Sequence, residues 1–205
     1  MMNSFYDAFR SDLPECNIDG VVVRRFDTRA PEMRLANLRY EMEGRGTRPG
    51  VYTHLIVDGE LWMSDTDAEA RDHHWFFLTC KAMNAKRVLV NGLGMGCIVK
   101  ALLTLESIEH IDVVEFDQRI IDIIGSHYAK DLRVHITHAD AYKQTKQWPK
   151  GMTWDAAWHD IWIDICEDNR ESMTMLHRSY GHRVKYQESW GKVQMDADRQ
   201  RYGGW

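Results

Sequence analysis

The chain has 205 residues, a formal net charge of −5, and 44% hydrophobic and 28% charged residues, the balance of a soluble globular protein long enough to bury a real core. So mild a charge argues against a broad nucleic-acid-binding surface, and no DNA partner is expected. No run of about 18 apolar residues is present to form a membrane span, and the opening MMNSFYDAFRSDLPEC lacks the basic start and apolar stretch of a secretion signal. The four cysteines (Cys16, Cys80, Cys97, Cys166) form no C-x-x-C pair, which fits reduced thiols in a cytoplasmic protein.

In chain order, Val21 to Val23 suggests a short strand, and Pro31 opens a helix with Leu35, Leu38 and Met42 on one face. A Gly/Arg/Pro loop, Glu43 to Gly50, follows. Two β-rich runs, Val51 to Val57 and Glu60 to Met63, flank Asp58-Gly59, a pair that tolerates the positive φ of a hairpin turn. Thr66 and Glu69 have capping-box spacing and predict a helix to about Asn84.

From Arg87 onward strand and helix alternate. Strands are predicted at Val88 to Val90, Ile111 to Phe116, Val134 to Thr137, Asp155 to His159 and His182 to Gln187. Helices are predicted around Ile98 to Leu105, Ile120 to Ile124 and Asn169 to Tyr180, the last ended by Gly181, with a final helix from about Ser189. This alternation means a parallel sheet with helices on both faces. The expected fold is α/β, a doubly wound Rossmann-like sheet of five mostly parallel strands. Residues 66–205 form that domain, and residues 1–65 precede it as a strand, helix and hairpin region.

Gly92, Gly94 and Gly96 lie between the first of these strands and its helix, where glycine lets the backbone turn sharply and approach a ligand. A dinucleotide fingerprint would place Gly or Ala where Cys97 stands, and no Walker loop is present. G-x-G-x-G followed by an acidic residue ending the next strand, here Glu115, is instead the pattern for S-adenosyl-L-methionine (SAM). A carboxylate at Glu115 can accept hydrogen bonds from ribose hydroxyls. Asp140, just past the third strand, is placed either to accept from the adenine amino group or to cap a helix. His159, Asp160 and Asp164, or Asp72, His73 and His74, match no defined metal-ligand spacing, so no metal is expected. Of Trp154, Trp158 and Trp162, two are expected in the core.

With those residues in place, the chain resembles class I SAM-dependent methyltransferases, and within them the spermidine synthase-like branch. The resemblance rests on Val57 to Trp62, Glu69 with His73, Arg87 to Gly96, Val113 to Asp117, Ala139 to Ala141, and Trp154 to Asp160. It implies a pocket for SAM or decarboxylated SAM, with Glu115 on the ribose, Asp140 on the adenine and Asp160 as the catalytic carboxylate beside the transferred group. Three positions depart from the aminopropyltransferase pattern. Asp160-Ile-Trp-Ile-Asp164 replaces Asp-Ser-Ser-Asp-Pro, Trp62 stands for the hairpin glutamine, and Asp72 for the tyrosine before the helical histidine. The sequence therefore favours methyl transfer to a small or peptide-like nucleophile. Aminopropyl transfer or a non-catalytic SAM-fold module are the alternatives. A homodimer is also expected, from an open fifth-strand edge and a terminal stripe of Trp190, Val193 and Ala197.

Overall fold

The computed structural model describes residues 2–202. A helix α1 (Met2–Phe9) precedes a four-stranded antiparallel sheet in the order β1 (Cys16–Ile18), β2 (Val21–Asp27), β3 (Val51–Val57) and β4 (Glu60–Ser64). The β3–β4 turn is the predicted one, with Asp58 and Gly59 both at positive φ. Between β2 and β3 lies α2 (Arg34–Met42), entered through a 3-10 turn at Pro31–Met33. Helix α2 forms where the periodicity placed it, but it buries none of its residues, and Leu35 and Met42 are each 82% exposed. Periodicity specifies a face, and nothing in the rest of the described chain packs on this one.

Helix α3 (Asp67–Ala82) starts at Thr66, whose side chain accepts the Glu69 N–H. The main sheet follows as β5 (Arg87–Asn91), β6 (His110–Glu115), β7 (Val134–His138), β8 (Trp154–His159) and β9 (Val184–Ser189). All five strands are parallel, in the order β7-β6-β5-β8-β9. The connecting helices are α4 (Cys97–Leu103), then α5 (Gln118–Ile120) and α6 (Ser126–Tyr128) joined by a π turn, then α7 (Ala141–Gln144) and α8 (Asn169–Tyr180); α9 (Lys192–Tyr202) ends the fold.

Alternating strand residues feed two cores. Val88, Val90, Ile111, Val113 and Trp158 pack with α1, α3 and α4 on one face, where Phe5 and Phe9 are almost fully buried. Leu89, Val114 and Trp154 pack with Leu176 and Tyr180 of α8 on the other. Of Trp154, Trp158 and Trp162, the first two are in the core. The terminal stripe differs from expectation. Trp190 and Met195 are the buried anchors, whereas Val193 is 66% exposed, because the chain turns at Gly191 (φ 74) before the helix begins. No helix among the described residues is long and apolar enough to cross a membrane.

Candidate active site

Strand order reverses about β5: the next strand in sequence, β6, lies on one side of it and β8 on the other. In an open parallel sheet a crevice opens at the carboxyl ends of two strands so diverging. Here those ends are Asn91 and His159, and the residues just beyond them, Gly92 and Asp160, meet at the floor of a cavity of about 610 Å³. The Asp160 N–H donates to the Asn91 carbonyl at 2.8 Å. Behind the floor, the buried Asn91 amide contacts His159 Nδ1 at 2.7 Å and Gln187 contacts His159 Nε2 at 3.1 Å. Burial holds the His159 pKa down at about 3, so this ring is neutral and fastens the two strand ends together.

The glycine loop is shaped by protein as much as for a ligand. A Cβ on Gly92 (φ 90) would lie 1.8 Å from the Asp160 carbonyl oxygen, and one on Gly96 (φ 70) would meet the Tyr128 ring at 2.1 Å. Gly94 approaches the hairpin instead. Met63 of β4 lies over it, and its Sδ accepts the Met95 N–H at 3.1 Å.

Glu115 lines the cavity, and its carboxylate orders the surrounding loops. Oε2 accepts the Leu93 N–H at 2.8 Å, while Oε1 accepts those of Phe116 and Asp117 at 2.7 and 2.8 Å. A carboxylate offers about four lone-pair positions, so about one remains for a ribose hydroxyl. Asp140 also lines the cavity, but as the cap of α7. It accepts the Tyr142 N–H at 2.9 Å and pairs with Lys143 at 3.1 Å. The structure thus brings Gly92, Gly94, Glu115, Asp140 and Asp160 around one cavity and leaves Gly96 behind it, packed on Tyr128.

Opposite the glycine loop stand residues to which sequence reasoning gave no separate role. Glu69 and His73, one turn apart on α3, both face the cavity. His73 Nε2 lies 3.0 Å from Asp160 Oδ2 and Nδ1 lies 2.9 Å from the Glu69 carbonyl. Both contacts are hydrogen bonds at once only when the ring is an imidazolium. Burial opposes that charge, but the bond to Asp160 and the nearby Glu69 outweigh it and raise the His73 pKa above its ordinary value. Trp158 Nε1 donates to the same Asp160 oxygen at 3.4 Å. Burial raises the Glu69 carboxyl to about 7 despite His73 and Arg45, whose guanidinium lies 3.5 Å away. Arg45 also pairs with Asp72 at 3.0 Å. Once Glu69 ionises, above about pH 7, the carboxylates of Glu69, Asp72 and Asp160 outnumber His73 and Arg45 by one charge, which makes this end of the cavity receptive to a cation. Among the described residues no cluster of three His, Cys, Asp or Glu side chains is placed to hold a metal ion.

The raised Glu69 pKa has a consequence for stability. An unfolded glutamate titrates near 4.5 and this one at about 7, so between those values the native state binds more protons and stability falls as pH rises. Glu69→Gln removes the effect. Denaturant unfolding at pH 5 and pH 8 should show wild type losing up to about 3 kcal/mol more than the variant over that interval. Parallel losses in the two proteins would show that Glu69 titrates as an ordinary surface carboxylate.

The family described as the spermine/spermidine synthase domain matches residues 74–181, just over half of the chain. Relatives include a polyamine aminopropyltransferase from Agathobacter rectalis, 41% identical over 70 residues that make up 34% of this chain and 25% of that protein. Another, from Prochlorococcus marinus, is 28% identical over 119 residues, 54% of this chain and 38% of that one. The chain therefore matches between about a quarter and two fifths of the length of these curated relatives. Among solved structures, the spermidine synthase from Thermotoga maritima aligns over 86% of this chain and 53% of its own, with a TM-score of 0.47 and 16% identity. The family match takes in the glycine loop, Glu115, Asp140 and Asp160, the residues gathered around the cavity, and on it the chain belongs to the spermine/spermidine synthase domain family.

Proposed function

We propose that this chain transfers an aminopropyl group from decarboxylated SAM to an amine. The observation that carries the reading is the His73–Asp160 pair, with Glu69 beside it, at one end of the cavity whose other walls are the glycine loop and Glu115. Family membership supports aminopropyl transfer over the methyl transfer that the sequence pattern favours.

The cavity fits the nucleoside part of such a donor. Its floor is bare glycine backbone, Glu115 retains an acceptor position, and Leu93, Ile98, Val114 and Ile161 supply apolar walls. When bound, the donor supplies a carbon activated by its sulfonium. The residues of this chain supply alignment and a proton acceptor. A neutral amine forms the new C–N bond as the C–S bond breaks, the electron pair stays on sulfur, and Asp160 takes the proton that the new ammonium sheds. His73 and Trp158 fix the Asp160 carboxylate from one side, leaving its other face toward the cavity.

Product analysis tests the reading. With decarboxylated SAM and a panel of primary amines, methylthioadenosine should accumulate together with the aminopropylated amine. Methylthioadenosine without an alkylated amine would mean mere cleavage of the donor. Release of S-adenosylhomocysteine from SAM with the same amines would mean methyl transfer. Either result overturns the proposal.

A further inference from the structure

A second chamber of about 240 Å³ opens off the reaction cavity and shares four wall residues with it: Trp62, Met63, Glu69 and Ile163. Phe26, Tyr40 and His54 line its far end, where the Phe26 and His54 rings stack at 3.6 Å. Burial lowers the His54 pKa to about 4, so that ring is neutral near pH 7. The lining carries one carboxylate, Glu69 at the junction, and one cation, Arg45, which already faces Glu69 and Asp72. Tyr40, His54 and Trp62 present only neutral polar atoms to it, and the smaller polar groups are engaged within the protein. Thr28 bonds to the Gly50 backbone, Asn37 donates to the Thr28 carbonyl, Thr47 donates to Tyr52, and Ser64 pairs with Thr66.

A ligand running from Asp160 past Glu69 thus leaves a charged environment and enters one with no free charge, where aromatic and apolar side chains predominate and the polar atoms are neutral. A second ammonium there would give up water without gaining a counter-ion, which is unfavourable. A flat apolar group is welcome instead, since a cavity of about 150 Å³ already suffices to hold benzene. We propose that this chamber seats the uncharged tail of the acceptor, making the preferred acceptor an arylalkylamine and not an unbranched diamine. This inference rests on the aminopropyl-transfer reading for the role of the amine, and it differs in locating the selectivity at Trp62, His54 and the neutral far wall.

The test compares phenethylamine with putrescine, using the full chain and decarboxylated SAM. Phenethylamine should show a kcat/KM at least about tenfold higher, the scale on which a buried apolar group discriminates. Narrowing the chamber by Leu61→Trp or Ala68→Leu should raise the KM for phenethylamine by about tenfold and affect kcat less; Leu61 is 48% exposed, so its variant is the safer for folding. A preference for putrescine overturns the inference while leaving aminopropyl transfer intact. If no amine is alkylated, the transfer reading fails, and calorimetry with phenethylamine then decides the chamber separately. Binding that Leu61→Trp abolishes supports it, and absence of binding to wild type overturns it.

Discussion

Replacing Asp160 with Asn is expected to lower kcat/KM for amine alkylation by about a hundredfold or more, the usual worth of a positioned proton acceptor. The side chain keeps its size, and the Asn carbonyl oxygen can still accept from His73 Nε2, where the carboxylate oxygen sits 3.0 Å away. What is lost is the basicity of the group and its attraction for an incoming ammonium. The Asp160 backbone, which bonds to Asn91 and closes against Gly92, is untouched. The variant also loses the charge that supports the buried His73 imidazolium, so thermal stability should fall, while calorimetry should find methylthioadenosine bound as in wild type. Unchanged turnover would assign Asp160 a purely structural part and move the proton-accepting role elsewhere, with the buried Glu69 next in line.

Gly92→Ala is expected to do the opposite, removing the fold's stability before its chemistry. The methyl group would be built 1.8 Å from the Asp160 carbonyl oxygen and 2.7 Å from its carbon, both backbone atoms of the neighbouring strand end. Neither atom can swing aside as a flexible side chain would. The backbone at φ 90 adds a conformation that alanine adopts only with strain. Strain and overpacking together should cost about 4 kcal/mol, read as a lowered denaturant midpoint, along with loss of methylthioadenosine binding. Gly59 is the internal control. It too has positive φ, but a Cβ there would meet nothing within 4 Å, so Gly59→Ala should show the strain alone. Equal losses at the two positions would mean that the contact with Asp160 relaxes freely.

Much of this arrangement was legible in the residues, for identifiable physical reasons. Glycines between a short apolar strand and a helix, and acidic residues ending successive strands, are local signals, and parallel topology alone carries Gly92, Glu115, Asp140 and Asp160 to one edge of a sheet. Roles were harder to see. The spacing of Glu115 suggested a ligand contact, but not that three backbone N–H groups already claim most of its carboxylate. Glu69 and His73 were visible one turn apart on a helix with a clear cap, yet nothing local says which face of α3 turns toward β8. Helix α1 escaped notice although Phe5 and Phe9 are one turn apart, because a helix of 8 residues is set by the core it enters and not by its own periodicity. Strand β1, at three residues, is too short to show any alternation.

The hairpin sulfur resting on Gly94 bears on how the molecule can be dissected. The family match begins at residue 74, inside α3, one position beyond His73 and well past Trp62, Met63 and Glu69. A fragment trimmed to residues 74–181 would keep the ends of β5 to β8, the glycine loop and Asp160, but not β9. It would lose Met63 from the Met95 N–H, His73 from Asp160, the entire second chamber wall contributed by β2–β4, and the phenylalanines that α1 lays against α3. The glycine-loop end of the cavity and the side chains that face Asp160 across it are thus supplied by different stretches of the chain, so the boundary of the family match cuts through the middle of the pocket.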